Sequence, residues 1–377
     1  MYYLETFERS IMKYRYIPGS DLKVPLIGQG TMGIGGYFTE DNQNDNSYIN
    51  LIRYGIDLGA TFIDTAENYG AGHSEELIGK AVKNIRSQVY IATKFLPEHS
   101  SYNDVIKAAE NSLKRLTTDY IDLYQLHWPN YNIPLEETAK ALIKLVKNGK
   151  VKYIGACNCS ITELKQLQNY LGEVPLLFIQ HEYNLLERSV ETSILPYCHQ
   201  YNKLFIAYSP LLRGALNSID GGLKTLLLDY NISISQFALL WILQHPSTIV
   251  IPYTSSKEHM RDNISVTDLD ISELLSQVDN LLPTIQEIPV SLIKVLPESD
   301  RPVYISKQEA LDNKFGLEPS PSALAAQITG GCFFKPVKVK KEGNDYILLD
   351  GRTKFWAWVI AYNSERAIPT HIIEEKR

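Results

Sequence analysis

Residues 59–70 read Gly59-Ala60-Thr61-Phe62-Ile63-Asp64-Thr65-Ala66-Glu67-Asn68-Tyr69-Gly70. A short apolar run, Thr61–Thr65, ends on a carboxylate and gives way to a polar stretch that carries a phenol. A run this short between turn residues reads as a strand buried on both faces. Further runs of the same kind lie at Val24–Gln29, Val89–Lys94, Tyr120–His127, Tyr153–Asn158, Leu176–Asn184, Leu204–Ser209 and Thr248–Pro252, which makes eight in all.

Amphipathic helices are expected between them. Val105, Ile106, Ala109, Leu113 and Leu116 form one stripe at helical spacing. Leu135, Ala139, Leu142 and Val146 form another, with Gly149 placed just past its end. Eight strand–helix units in series give an α/β chain of the (β/α)8 TIM-barrel class. Tyr14–Pro18 and Leu22–Pro25, around Gly19-Ser20-Asp21, read as a hairpin that could plug the barrel bottom. A helix over Ser272–Leu282 would end the domain.

The chain has 377 residues, more than one core usually supports, so a large domain and a small one are expected. We read residues 12–283 as the barrel and residues 286–377 as a second, smaller α+β domain, with Pro283-Thr284-Ile285-Gln286-Glu287 as the boundary. Residues 1–11 precede Met12 and read as an extension. The net charge of −6 argues against a nucleic-acid partner. The longest apolar run, Phe237 to Leu243, is too short for a membrane span, and the N-terminus lacks the pattern of a signal peptide. Four cysteines, Cys157, Cys159, Cys198 and Cys332, are too few for a disulfide framework. Cys157 and Cys159, two apart on one expected strand, should face the same side. No His or Cys partner follows at ligand spacing, so no metal is expected. The expected location is the cytoplasm.

In the C-terminal part, Ile288–Ile293 and Pro302–Ile305 read as strands and Ser322–Ile328 as a helix stopped by Gly330-Gly331. Val337–Lys340 and Tyr346–Leu349 should pair across Glu342-Gly343-Asn344-Asp345 as a hairpin. Gly351 opens a helix to about Tyr362, and Pro369–Ile373 is a last strand. Phe333, Phe334, Phe355, Trp356 and Trp358 exceed what a small core needs. Phe355 and Trp358 should share a helix face while Trp356 points elsewhere, leaving one set for a partner surface.

Barrel enzymes work at the C-terminal ends of their strands. There the sequence delivers Asp64, Tyr69, Lys94 and His127. Hydride addition to a carbonyl creates an alkoxide that must be protonated as it forms. A tyrosine, with a reference pKa of about 10, is too weak an acid for this alone. A lysine ammonium beside it favours the phenolate. A carboxylate keeps that lysine charged and in place, and an imidazole can orient the carbonyl oxygen. An Asp at a strand end is often only a helix cap, and one tyrosine among 24 means nothing alone. Joint placement on consecutive strand ends is what favours the catalytic reading.

Four separated motifs then resemble the aldo-keto reductase family: residues 59–70, Ile154-Gly155-Ala156-Cys157-Asn158, Tyr208-Ser209-Pro210-Leu211, and Ile251-Pro252-Tyr253-Thr254-Ser255-Ser256. The resemblance covers residues 13 to about 283. It implies that Asp64, Tyr69, Lys94 and His127 form the catalytic tetrad, with Tyr69 the proton donor. It implies that Asn158 and Gln180 bind the nicotinamide carboxamide and that Tyr208 stacks on the ring. Ser209, Leu211 and Gly214 would line the pyrophosphate path. Thr254, Ser255, Lys257, His259 and Asn263 would hold the adenosine end, where a helix N-terminus suits phosphate. Members usually carry serine where this chain has Cys157, and cations for the 2′-phosphate where it has Tyr253 and His259. Lys257 and Arg261 are the expected substitutes. The implied cofactor is NADPH, with NADH the alternative. Trp128, Tyr37, Phe38 and Leu212 are candidates for the substrate pocket.

Residues 288–373 resemble the ParB/sulfiredoxin-like fold through Lys335–Val339, Leu348–Ala357 and Ile368-Pro369-Thr370. That resemblance implies nucleotide phosphate at the helix after Gly351. Lys354 stands where the fold usually has arginine, and Arg352 where sulfiredoxins keep cysteine, which argues against sulfiredoxin chemistry. Residues 286–377 hold 13 Lys and Arg against 12 Asp and Glu, a balance of +1 that gives no basic face for DNA. A nucleotide ligand and a domain or subunit contact remain the two expectations for this domain. The function expected of the chain is transfer of hydride from NADPH to a small carbonyl substrate. The alternative is a nicotinamide-sensing regulator that signals through its ParB-like domain.

Overall fold

The computed structural model describes residues 12–17, 22–212, 214, 216, 221–278, 282, 285–297, 303–317, 319–329 and 336–373. Strands β1 (Tyr14–Tyr16) and β2 (Lys23–Pro25) pair antiparallel. The barrel strands follow: β3 (Gln29–Gly30), β4 (Phe62–Asp64), β5 (Tyr90–Phe95), β6 (Ile121–Leu126), β7 (Val151–Cys157), β8 (Leu176–Glu182), β9 (Leu204–Tyr208) and β10 (Thr248–Val250). Each pairs in parallel with the next. A parallel bridge from Ile27 to Val250, with Gly28 N donating to Val250 O and Gly30 N to Pro252 O, closes the ring.

Parallel strands covered on both faces are mostly apolar on both. All six residues of β6 are buried, Asp122 and Gln125 among them. One set of side chains packs outward against the helices, including Ile91, Tyr124 and Ile154. The other fills the barrel: Phe62, Ala92, Leu123, Phe178, Ile206 and Ile249. Ile17, Leu22 and Val24 belong to this inner cluster, so the β1–β2 hairpin does plug the barrel. Residues 18–21 of its turn lie outside the described residues.

The helices carry local start signals. Tyr102–Leu116 buries Val105, Ala108, Ala109, Ser112 and Leu116, with Ser101 accepting from Asp104 N. Ser160 and Glu163 form a reciprocal capping box on Ile161–Leu171, an arrangement that contributes about 1 kcal/mol. Leu135–Lys147 ends at Asn148, and Gly149 follows at φ +71°.

Two readings of this part need correction. Val24–Gln29 is not one strand. Val24 and Pro25 belong to the hairpin, and β3 begins at Gln29. Cys157 ends β7, but Asn158 turns the chain at φ +58°, so Cys159 does not share its strand. Cys159 packs in the outer core, whereas Cys157 faces Lys94. The helix expected to Leu282 is described over Ser272–Val278, and residues 279–281 lie outside the described residues.

A second sheet has the order β11–β15–β13–β14–β12, made of β11 (Ile285–Ile288), β12 (Ile293–Lys294), β13 (Val337–Glu342), β14 (Asp345–Asp350) and β15 (Ile368–Ile372). The β13–β14 hairpin turns at Gly343-Asn344 as expected. Val337, Val339, Leu348, Phe355, Val359 and Ile368 form a core of its own. β11 already occupies Ile285–Glu287, which were read as linker. Ile288–Ile293 is broken, because Pro289 offers no N–H to a ladder and a 3-10 turn follows at Val290–Leu292. Residues 303–305 form no strand, and Lys307–Leu311 is a helix with no counterpart in the sequence reading. Trp356 does not point away. It packs on the same core as Phe355, and its indole N–H donates to Tyr304 O at 2.6 Å. Trp358 donates to Arg366 O at 3.3 Å and packs beside Tyr362. The tryptophans are therefore used within this part of the chain. Phe333, Phe334, Cys332, Gly330-Gly331, Pro283 and Thr284 lie outside the described residues.

Candidate active site

Strand register brings the first pair together. Asp64 lies opposite Ala92, and Lys94 is two residues further along β5 on the same face. Lys94 Nζ donates to Asp64 Oδ1 at 2.6 Å and to Thr65 O at 2.7 Å, and its side chain is fully buried. Burial alone would lower the ammonium pKa. Asp64 beside it, then Tyr69 and Cys157, outweigh burial and raise it. Gln180 Nε2 donates to the second oxygen, Asp64 Oδ2, at 2.8 Å.

Tyr69 sits in the short 3-10 segment Tyr69–Gly72. Gly70 is required there: φ is +56°, and a Cβ would lie 2.3 Å from Gly35 O. Lys94 Nζ is 5.2 Å from the Tyr69 ring centre. The phenol pKa is nevertheless raised, because burial outweighs the lowering by Lys94 and Asp64 adds to the rise. The lysine thus offsets part of the burial effect without making the phenol a stronger acid than free tyrosine.

His127 follows β6 directly, with its ring 6.0 Å from that of Tyr69 in an edge-on arrangement. Burial and then Lys94 push its pKa down to about 3, so the imidazole is neutral near pH 7. Its Nδ1 is buried and has no hydrogen-bond partner among the described residues. Asn158 Nδ2 donates to His127 O at 3.1 Å, and Tyr208 Oη donates to Asn158 Oδ1 at 2.9 Å.

These groups open onto a cavity of about 800 Å³. Asp64, Tyr69, His127, Asn158, Gln180, Tyr208, Ser209, Leu211, Gly214, Thr254, Ser255, His259 and Asn263 all line it. Lys94 lies behind Asp64 and Tyr69. Lys257 does not line the cavity; its ammonium lies 5.2 Å above the Tyr54 ring. Arg261 does not line it either, whereas Asp262, which the sequence reading passed over, does. Tyr37, Phe38 and Trp128 line its mouth, while Leu212 packs against the outer core. At the far end Ser256, not Thr254, caps the helix Lys257–Ser265, and Thr254 Oγ1 accepts from Ser256 N at 3.0 Å. The links from Gln180 to Asp64 and from Tyr208 to Asn158 were not foreseen, since each joins strands remote in sequence.

Residues 26–281 match the sequence model of the aldo/keto reductase family. The methylglyoxal reductase YeaE of Escherichia coli is 34% identical over 270 residues, covering 70% of this chain and 93% of its own length. The crystal structure of a thermostable aldo-keto reductase bound to the inhibitor epalrestat superposes with a TM-score of 0.68 at 37% identity, over 72% of this chain and 100% of that one. An aldo/keto reductase from Klebsiella pneumoniae, solved with NADP and acetate, gives 0.66 at 33% identity, over 72% and 96%. With the barrel, the strand-end residues and these relatives in agreement, the chain belongs to the aldo/keto reductase family.

Proposed function

We propose that the protein reduces the carbonyl group of a small molecule with NADPH, using Tyr69 as proton donor. The observation that carries this is the buried Asp64–Lys94 pair set behind a phenol that faces the cavity beside a neutral imidazole. The donor set suits a nicotinamide nucleotide. The Asn158 carboxamide, the Tyr208 ring, Thr254, Ser255 and Asn263 all line this one cavity. NADPH bound there supplies the hydride. The neutral His127 donates a hydrogen bond to the substrate oxygen and orients the carbonyl. Tyr69 passes its proton to that oxygen as charge develops, and Lys94 stabilises the phenolate left behind. Asp64, held by Gln180, fixes the lysine.

His259 also borders the adenosine end, and Lys257 reaches it only by leaving Tyr54. The regulator reading finds no support among the relatives, which are named as reductases. Residues 12–283 serve as the barrel domain and 286–377 as a second domain of ParB/sulfiredoxin-like type. The mixed sheet with its own core, and Gly351 at φ +87° leading into Arg352–Tyr362, support this. Its role is a docking contact or a nucleotide site. Cys157, Cys159 and Cys198 are buried, free thiols among the described residues, and the setting we propose is the cytoplasm. Among the described residues, no single helix is long and apolar enough to cross a membrane.

The test is Tyr69→Phe, with turnover followed by NADPH absorbance over a set of aldehydes and ketones. Cofactor affinity should stay near that of the wild type while kcat falls by about 10²-fold or more. Near wild-type turnover would refute the assignment.

A further inference from the structure

We propose that His73 is a positioning residue: its imidazolium clasps the loop that carries the aromatic mouth of the cavity, so that proton loss from it weakens substrate binding. The inference rests on the reductase reading for the meaning of the cavity, but the clasp itself is read from geometry alone. His73 opens the helix His73–Val82, four residues after Tyr69, and is almost fully buried. Its Nε2 lies 2.8 Å from Asp45 Oδ1, at the start of the helix Asp45–Asp57. Its Nδ1 lies 3.0 Å from Glu76 Oε2 on its own helix and 3.9 Å from Glu40 Oε1 in the loop. Carboxylates only accept hydrogen bonds, so both ring nitrogens must carry protons, and the ring is cationic. Among the described residues, the one cation paired into this group is Lys80, whose Nζ is 3.9 Å from Asp45 Oδ2. Burial lowers the imidazole pKa, yet Asp45 and Glu76, then Glu40, outweigh it and raise the pKa above the ordinary value.

The loop between β3 and Asp45 is pressed against this ring. A Cβ at Gly35 would meet His73 Cδ2 at 2.9 Å, so only glycine lets the backbone lie flush there. Asp41 N donates to Gly35 O, and Gly70 N, next to Tyr69, donates to Tyr37 O at 2.8 Å. Tyr37 and Phe38, both largely exposed, project from this loop into the mouth of the cavity. The imidazolium thus holds the loop at Asp45 while the backbone holds it at Gly70. Because the folded pKa is raised, the clasp is complete below the value of a free imidazole. It is lost as pH rises through the folded value, where one nitrogen lone pair comes to face a carboxylate.

The experiment measures kcat and KM for a carbonyl substrate from about pH 6 to about pH 9, spanning the imidazole range. Wild-type, His73→Gln and Glu76→Gln proteins are compared, and amide exchange of residues 36–45, corrected for intrinsic rate, is followed over the same range. In the wild type, KM should rise about five-fold through the titration, the size of one net hydrogen bond, and loop exchange should quicken at the same midpoint. His73→Gln should show the raised KM and fast exchange at every pH, with kcat little changed. Glu76→Gln should move the midpoint to lower pH. A wild-type KM and loop exchange that do not change with pH, or that change equally in His73→Gln, would overturn the proposal. Absence of turnover in every protein would overturn the reductase reading instead, and the exchange data would still decide the clasp.

Discussion

Lys94→Met tests the site at its most buried point. The ammonium lies 5.2 Å from the Tyr69 ring centre. At an effective dielectric of about 20, unit charges at that distance interact by about 3 kcal/mol, or about 10²-fold in rate. Methionine fills a similar volume and removes that interaction, while Asp64 remains to disfavour the phenolate. The phenol then rises further above its ordinary value, and kcat should fall about 10²-fold. Stability should fall as well. Asp64 would keep the hydrogen bond from Gln180 but lose its buried partner, a change that typically costs about 3–5 kcal/mol. The two effects separate in the double variant Asp64→Asn, Lys94→Met, which has no unpaired buried carboxylate. Thermal unfolding should recover most of the lost stability there, while turnover on a good carbonyl substrate stays depressed. If turnover recovered with stability to within about three-fold of wild type, the lysine would be a structural residue and the proton-transfer argument would be wrong.

Cofactor choice should be modest. Neither Lys257 nor Arg261 lines the cavity, and Asp262 does. NADPH should therefore bind more tightly than NADH by less than about ten-fold, since a partly exposed ion pair contributes about 1 kcal/mol. Fluorescence titration with both nucleotides checks this, and a preference for NADH would refute the NADPH reading. His371, on β15, is buried with neither ring nitrogen hydrogen-bonded among the described residues, and its pKa is pushed down to about 4 by burial, Lys338 and Arg188. A depressed histidine takes up its proton more readily in the unfolded chain. Stability should therefore fall as pH drops from about 6.5 toward 4, by up to about 3 kcal/mol. His371→Gln should flatten the melting temperature over that window, and an unchanged slope would rule the residue out as its source.

The barrel was legible because its central strands are largely buried on both faces and so are written mostly in apolar residues. β3 was not, because it spans Gln29–Gly30 and is held by backbone bonds to Pro252 and by the buried Gln29 amide, which donates to Ile52 O and Ala60 O, rather than by apolar side chains. Asp64, Tyr69, Lys94 and His127 were legible because they sit at strand ends in one stretch of chain. The bond from Gln180 to Asp64 spans 116 residues and exists only once the sheet curls on itself. Asn158 departs from its strand through a positive φ that composition alone does not announce. The C-terminal part was read less well. A proline breaks what looks like one strand, and Trp356 spends its apolar surface and its N–H inside its own fold.

The plugged barrel bottom bears on how the chain folds. Arg15, on the first strand of the hairpin, donates from Nε to Thr248 O at 3.2 Å and from Nη2 to Leu243 O and His245 O. These bonds join residues 228 to 233 positions apart. Contacts of such long range carry a large loop-closure entropy before they return any energy, and they slow folding. During synthesis the hairpin emerges first but cannot be seated until residues 243–250 have followed. The side chains of Ile17, Leu22 and Val24 stay uncovered for that interval. An early-made element is therefore among the last to be buried, and the nascent barrel remains open at its base, and prone to association, until its eighth strand arrives.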